Sequence, residues 1–220
     1  MPGILTSELV KEYVLAAGAA VAGIAAAVDF DAAPAGLHPK DVLAECRSVV
    51  VLGCPFPKEA LTNSIEYTAM RNEMLKHMTA LAKTMEKRIK AHGHRAKAVS
   101  ASGGKTVDGQ MLGHISLKHA AQLAGLGVIG RNYLLTSPAY GNFLWLSAVL
   151  TDADLAPDKK IENNLCENCN ICVEACPSGA LDNPAAFGKK ACSKFFVIAN
   201  KKLEIKCYTC RTVCPCRFGF

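Results

Sequence analysis

The sequence predicts an α/β (α+β) domain followed by a smaller cysteine-rich domain, and three observations lead there. Short β-branched segments alternate with amphipathic ones over residues 1–157. A polar, proline-bearing stretch from Thr151 to Lys160 then breaks the pattern. Beyond it lie nine of the eleven cysteines, at or after Cys166, together with many lysines. The boundary is therefore set at 157/158, with an α/β domain over 1–157 and a second domain over 158–220.

The elements follow in order. Thr6 or Ser7 caps a helix that runs to about Ala16. Val21 to Val28 reads as a short buried strand. Ser48 to Gly53 is the clearest strand, short and β-branched. Ile65 to Ala91 is a long amphipathic helix, because Met70, Met74, Met78, Leu81 and Met85 recur at threes and fours. Those methionines are read as core packing rather than a soft-metal site. Gly93 ends the helix, and Ala96 to Ala101 is a strand. Ser116 to Ala124 is a helix, and Asn142 to Leu150 is a further strand.

With 220 residues, half of them apolar, the chain can build a sizeable core in one or two domains. No run reaches the roughly 18 apolar residues of a membrane span. The longest, Val14 to Val28, is rich in Ala and Gly and follows Glu8 and Glu12 instead of the basic start of a signal peptide. No membrane partner is expected.

The cysteines carry the chemistry. The first run is Cys166-x2-Cys169-x2-Cys172-x3-Cys176-Pro177. The second is Cys207-x2-Cys210-x3-Cys214-Pro215, with Cys192 upstream. A zinc ribbon uses cysteines in two pairs, and a disulfide scaffold suits chains shorter than about 100 residues, so neither fits. The spacing is that of two [4Fe–4S] clusters, in which the cysteine before the proline ligates the other cluster. Cys166, Cys169, Cys172 and Cys214 are thus assigned to cluster one. Cys192, Cys207, Cys210 and Cys176 are assigned to cluster two, in a ferredoxin-like domain. A register in which Cys216 replaces Cys214 stays open. Thiolate-bound clusters and the absence of an export signal together favour the cytoplasm.

The net charge is +6, and Lys159, Lys160, Lys189, Lys190, Lys201, Lys202 and Lys206 concentrate it near the cysteine runs. The plainer reading is solvated lysines that balance anionic clusters. The sharper one is a docking face for an acidic electron donor or an anionic substrate. No basic stripe interleaves with aromatics, so no nucleic-acid partner is expected.

Gly125, Gly127 and Gly130 form a Gly-x-Gly-x-x-Gly pattern. A dinucleotide site would place it after a strand and before a helix. Here it follows a helix, which points instead to a helix C-terminus and a close backbone approach to a large flat ligand.

The segment Ala124-Gly-Leu-Gly-Val-Ile-Gly-Arg-Asn132, then Tyr140-Gly-Asn, Leu150-Thr-Asp and the paired cysteine runs, resembles the epoxyqueuosine reductase and reductive dehalogenase families. The resemblance implies a nitroreductase-like α/β domain that holds a corrinoid (cobalamin), or less readily FMN, beside one cluster. Gly125, Leu126, Gly127, Gly130, Arg131 and Asn132 are carried over as cofactor-binding. A low-potential donor of ferredoxin or flavodoxin type would feed the clusters. The cofactor would reduce a small or nucleoside-like substrate; alternatively, the chain would pass electrons to a partner's corrinoid protein. An acidic proton donor expected from these enzymes falls near Met111, with Asp108 three residues away. The chain is read as a short stand-alone relative without a C-terminal helical-repeat extension.

Asp108, His114 and Tyr133 are the candidate catalytic residues, since histidine titrates near neutrality and a carboxyl or phenol can donate a proton. His119 and Tyr140 are weaker candidates, and Lys118 is read as snorkelling on its helix. Cys46 and Cys54 are read as small buried residues, and His92 and His94 as bracketing a turn.

Overall fold

Thr6 starts α1 (Ser7–Ala16) as expected, its hydroxyl accepting from the Leu9 N–H at 3.2 Å. Val10 and Val14 are its buried stripe. The computed structural model describes residues 4–33, 36–101, 104–107, 110–183, 186–199 and 202–220. Asp108, one of the three candidate catalytic residues, lies outside the described residues.

β1 (Val21–Ala26) stops before Val28, because Ala27 to Phe30 coil into a 3₁₀ turn whose first N–H bonds to the Arg47 carbonyl at 2.8 Å. β2 (Ser48–Pro55) is two residues longer than its apolar run, and β1 pairs with it antiparallel, Val21 opposite Gly53. α2 (Ser64–Ala91) has the expected register, with Met74, Met78, Leu81, Met85 and Ile89 buried. Met70 is only half-buried. Gly93 closes the helix at φ +87°.

β3 (Ala96–Val99) is followed by a two-stranded ladder, β4 (Lys105–Val107) and β5 (Gln110–Leu112), which the sequence pattern does not show. α3 (Leu117–Leu123) comes next, then the paired β6 (Val128–Ile129) and β7 (Leu135–Thr136). β8 (Leu144–Thr151) pairs antiparallel with β3. The main sheet has the order β1-β2-β8-β3, so the fold is a mixed, α+β arrangement. β2 and β8 lie in the middle and are buried nearly end to end, which is why both read as continuous apolar runs.

Short elements follow: α4 (Ile171–Glu174), α5 (Lys189–Cys192), β9 (Phe196–Ala199), β10 (Lys202–Ile205) and α6 (Thr209–Thr212). Among the described residues no helix is long and apolar enough to cross a membrane.

The chain forms two compact units, and no single cut separates them. Unit 1 holds residues 1–55, 75–127 and 145–161. Unit 2 holds residues 56–74, 128–144 and 162–220. The polar stretch 151–160 is tied into unit 1. The Asp158 carboxylate accepts from the Ile24 N–H at 2.9 Å and pairs with Lys11 at 2.8 Å. The Ser48 hydroxyl donates to the Ala153 carbonyl at 2.9 Å and accepts from the Leu155 N–H at 3.0 Å.

Unit 1 is held by its α2 stripe packed in the core. Met78→Ala, at a side chain with no exposed surface, should lower unfolding free energy by about 2–5 kcal/mol. Chemical denaturation of wild type and variant reads this directly.

Candidate functional site

Unit 2 gathers the nine C-terminal cysteines. All eleven in the chain are free thiols. The first run wraps a tight loop: the Cys169 N–H bonds to the Cys166 carbonyl at 3.3 Å, and α4 then carries Cys172 inward to a buried position. Cys176 follows one turn later, and Pro177 prevents the helix from continuing. The second run repeats the plan, with Cys210 on α6. α4 packs against α6, which brings the two runs together.

The electrostatics sort the thiols. Burial pushes the Cys172 thiol up, and the charges of Cys166, Cys214 and Cys169 push it further. Burial likewise raises Cys192, followed by Cys207 and Cys176. Cys210 is pushed up to about 11, chiefly by burial; Arg211 opposes this, while Cys192, Cys207 and Cys172 add to it. Cys214 is raised by burial, and it lies within reach of Cys216 and Cys166. Thiols of the two runs thus act on one another: Cys214 on Cys172, Cys176 on Cys192 and Cys172 on Cys210.

Cys176 behaves differently. Burial acts to raise it, yet hydrogen bonds from the Ser178 hydroxyl and from the N–H groups of Ser178, Ala180 and Leu181 outweigh that and push it down. The Ser178 hydroxyl lies 3.5 Å from its sulfur. Such a nest of donors favours the thiolate form of the sulfur. Among the described residues no three His, Cys, Asp or Glu side chains close on a single metal ion.

The glycine segment divides between the units. Gly125, Leu126 and Gly127 belong to unit 1, whereas Gly130, Arg131 and Asn132 belong to unit 2. Gly125 has φ +70°, and a Cβ there would lie 2.3 Å from the Lys159 carbonyl oxygen. Its need for glycine is therefore met by packing of the chain on itself, not by the flat ligand expected there. Leu126 is buried in the core. Gly130 is different: a Cβ there would sit 3.3 Å from the Cys166 sulfur. The Arg131 N–H donates to that same sulfur at 3.5 Å. Asn132, only 4% exposed, spends its side chain on the backbone, donating to the Cys210 carbonyl at 3.2 Å and accepting from the Leu134 N–H at 3.1 Å. It pins the second cysteine run to the turn after the glycines, which is a positioning role. A cavity of about 300 Å³ opens beside this turn, lined by Val128, Ile129, Gly130, Asn164, Leu165 and Cys166.

The candidate acids do not share a unit. His114 is exposed on unit 1. His119 is pushed down by burial and then by Lys118, and its Nδ1 lies 2.6 Å from the Ser116 hydroxyl. Burial also pushes Lys118 down. Tyr133 sits in unit 2 at φ +56°, and its hydroxyl donates to the Asn183 carbonyl at 3.2 Å. Its proton is thereby engaged within the fold.

Sequence reasoning missed Asn142. It is 1% exposed, its amide donates to the Arg211 carbonyl at 3.3 Å, and it also hydrogen-bonds Cys214. The Arg211 guanidinium returns a bond to the Asn142 carbonyl. Tyr67 was missed as well; it stacks on Tyr208, beside Cys207, with centroids 4.1 Å apart. Only the Tyr140-Gly-Asn triplet hinted at Asn142, and nothing marked Tyr67.

Comparison with known proteins identifies the first cysteine run. Residues 159–182 match the 4Fe–4S binding domain family, which takes in the first cysteine run through Cys176. The chain is thus an iron–sulfur protein of mixed helix-and-sheet fold. It is a relative of the epoxyqueuosine reductases: the enzyme of Bacillus subtilis (strain 168) is 33% identical over 118 residues, 49% of this chain and 30% of that one. An epoxyqueuosine reductase solved with an epoxyqueuosine-modified tRNA stem loop has the same fold, with TM-score 0.67 and 24% identity over 96% of this chain and 64% of that one. A reductive dehalogenase solved in connection with B12-dependent dehalogenation has TM-score 0.72 and 21% identity, over 94% of this chain and 31% of that one. The chain therefore aligns with less than a third of the length of its curated relative. The tRNA in the first structure runs against the expectation that nucleic acid has no place beside such a chain.

The two cysteines outside unit 2 should be chemically quiet. Burial pushes Cys46 up to about 11, so at pH 8 only about one molecule in a thousand carries its thiolate. In folded, iron-free protein at pH 8, mass spectrometry after brief iodoacetamide treatment should find Cys46 unlabelled and Cys166 and Cys169 labelled.

Proposed function

We propose that this chain is an iron–sulfur reductase in which two [4Fe–4S] clusters relay single electrons to a corrinoid, which reduces a nucleoside-like substrate. The observation that carries the reading is the packing of α4 on α6, which brings the two cysteine runs together so that Cys214 acts on Cys172 and Cys176 on Cys192. That supports the crossed ligand set of a two-cluster ferredoxin. Cys166, Cys169, Cys172 and Cys214 would hold one cluster, and Cys192, Cys207, Cys210 and Cys176 the other.

A bound corrinoid would supply the reducing centre, as cofactors supply the hard chemistry elsewhere. The chain's own contribution is positioning. Gly130 puts no side chain against the Cys166 sulfur, and the cavity beside it would give a flat ligand an edge to enter. The Arg131 N–H fixes the sulfur and favours its reduced, more negative cluster. Asn142 does the same at Cys214. The relative solved with a tRNA stem loop supports a modified nucleoside as the substrate class. Thiolate-ligated clusters suit the reducing cytoplasm, and a low-potential ferredoxin or flavodoxin would be the electron source.

A second reading is an electron carrier that reduces a partner's corrinoid. It is favoured by Met111 standing where the enzymes' acid is expected, and by the engaged hydroxyl of Tyr133. Asp108 and His114 are the proton donors that the enzyme reading retains.

The experiment is anaerobic reconstitution with iron and sulfide, then titration with cobalamin and, separately, FMN. About eight irons per chain are expected, with shifted visible bands for cobalamin and none for FMN. About four irons would remove the two-cluster relay. A response to FMN alone would replace the corrinoid, and no response to either would favour the carrier.

A further inference from the structure

The stretch between two ligands of the proposed second cluster, Cys192 and Cys207, is built unlike the rest of unit 2. It forms the β9–β10 hairpin, paired antiparallel with Phe196 opposite Ile205 and Ile198 opposite Leu203. Successive strand residues point to opposite faces. Yet Phe196, Val197 and Ile198 are 44%, 38% and 69% exposed, so both faces of β9 meet solvent. The partner strand is the anchored one. The Ile205 N–H donates to the Thr68 hydroxyl at 2.9 Å, the Ser64 hydroxyl bonds Glu204 at 2.6 Å, and Ile205 is buried. β10 is thus fixed to the start of α2, and β9 displays three consecutive apolar side chains.

The surroundings are basic. From Lys189 to Lys206 the sequence has six lysines and one glutamate. Lys190 and Lys194 are exposed, on α5 and in the 3₁₀ turn that follows it. The single acid, Glu204, is taken by Lys206 at 2.7 Å. Exposed apolar side chains preceded in the chain by exposed lysines suit a short-lived electron-transfer interface. The lysines steer an oppositely charged partner, and the apolar side chains seat it.

We propose that β9 and the lysines beside it are the docking surface for an acidic, low-potential electron-carrier protein, which delivers electrons to the cluster held by Cys192 and Cys207. This rests on the two-cluster reading above. In each encounter one electron leaves the reduced carrier and enters the oxidised cluster. The carrier is oxidised and the cluster reduced, with no proton or bond exchanged. The position explains why a hairpin stands between two ligands: the docked carrier lies a few residues of backbone from both sulfurs.

The test uses full-length reconstituted protein in anaerobic stopped flow, with photoreduced acidic ferredoxin as donor and dithionite as a small donor that needs no docking. Lys190→Glu with Lys194→Glu should slow reduction by ferredoxin about tenfold or more, and wild-type rates should fall steeply with salt. Ile198→Ser, away from the ligands, should slow it several-fold at unchanged iron content. Dithionite should reduce all three proteins alike. If wild type binds no clusters, the reading beneath the proposal fails and the surface falls with it. If dithionite reduces the clusters and the ferredoxin rates ignore both variants and salt, the surface is overturned and the clusters stand. Loss of binding to a tRNA stem loop by the variants, at an unchanged ferredoxin rate, would overturn it in favour of an RNA surface.

Discussion

Thiols packed close together, half out of water, are the constraint around which unit 2 is organised. Burial and mutual repulsion raise Cys172, Cys192, Cys210 and Cys214 together, so ionising them all in the bare protein is costly. Bound cations invert that logic, because a coordinating thiol is deprotonated outright. Iron bound to these thiols would relieve that cost. The surrounding backbone is spent on holding it: Asn132 on the Cys210 carbonyl, Asn142 on Cys214 and the Arg211 carbonyl, and four donors on Cys176.

That economy explains how short elements suffice. α4, α5 and α6 have four residues each, too few to be stable alone. Their positions come from cysteine spacing, from the prolines after Cys176 and Cys214, and from segments remote in sequence. The turn 130–133 and the start of α2 both belong to unit 2 although the cysteine-rich tail begins far beyond them. Unit 1 is conventional by comparison, a four-stranded sheet with the α2 stripe in its core.

Much of this was legible in the sequence, for identifiable reasons. α1, β2, α2 and α3 announced themselves through caps and periodicity, and the first cysteine run as a 4Fe–4S binding segment through its spacing. The weaving of the units was not legible, because residues 56–74 and 128–144 carry no composition that marks them as partners of the tail. The glycine segment was half legible. A pattern of three glycines cannot distinguish Gly125, required by the Lys159 carbonyl, from Gly130, where a Cβ would press on the Asn132 side chain and the Cys166 sulfur. Asn132 looked like a cofactor contact, because a buried amide bonded to backbone leaves no trace in sequence. Two-residue strands such as β6 and β7 are too short for any periodicity.

The most direct measurement is electron paramagnetic resonance of the dithionite-reduced, reconstituted protein carrying Cys214→Ala, set beside Cys172→Ala and Cys210→Ala. If the sets cross, Cys214→Ala perturbs the same signal as Cys172→Ala and leaves the one that Cys210→Ala perturbs. If instead Cys214→Ala and Cys210→Ala perturb one signal and Cys172→Ala the other, each run holds its own cluster, and the account of unit 2 is wrong.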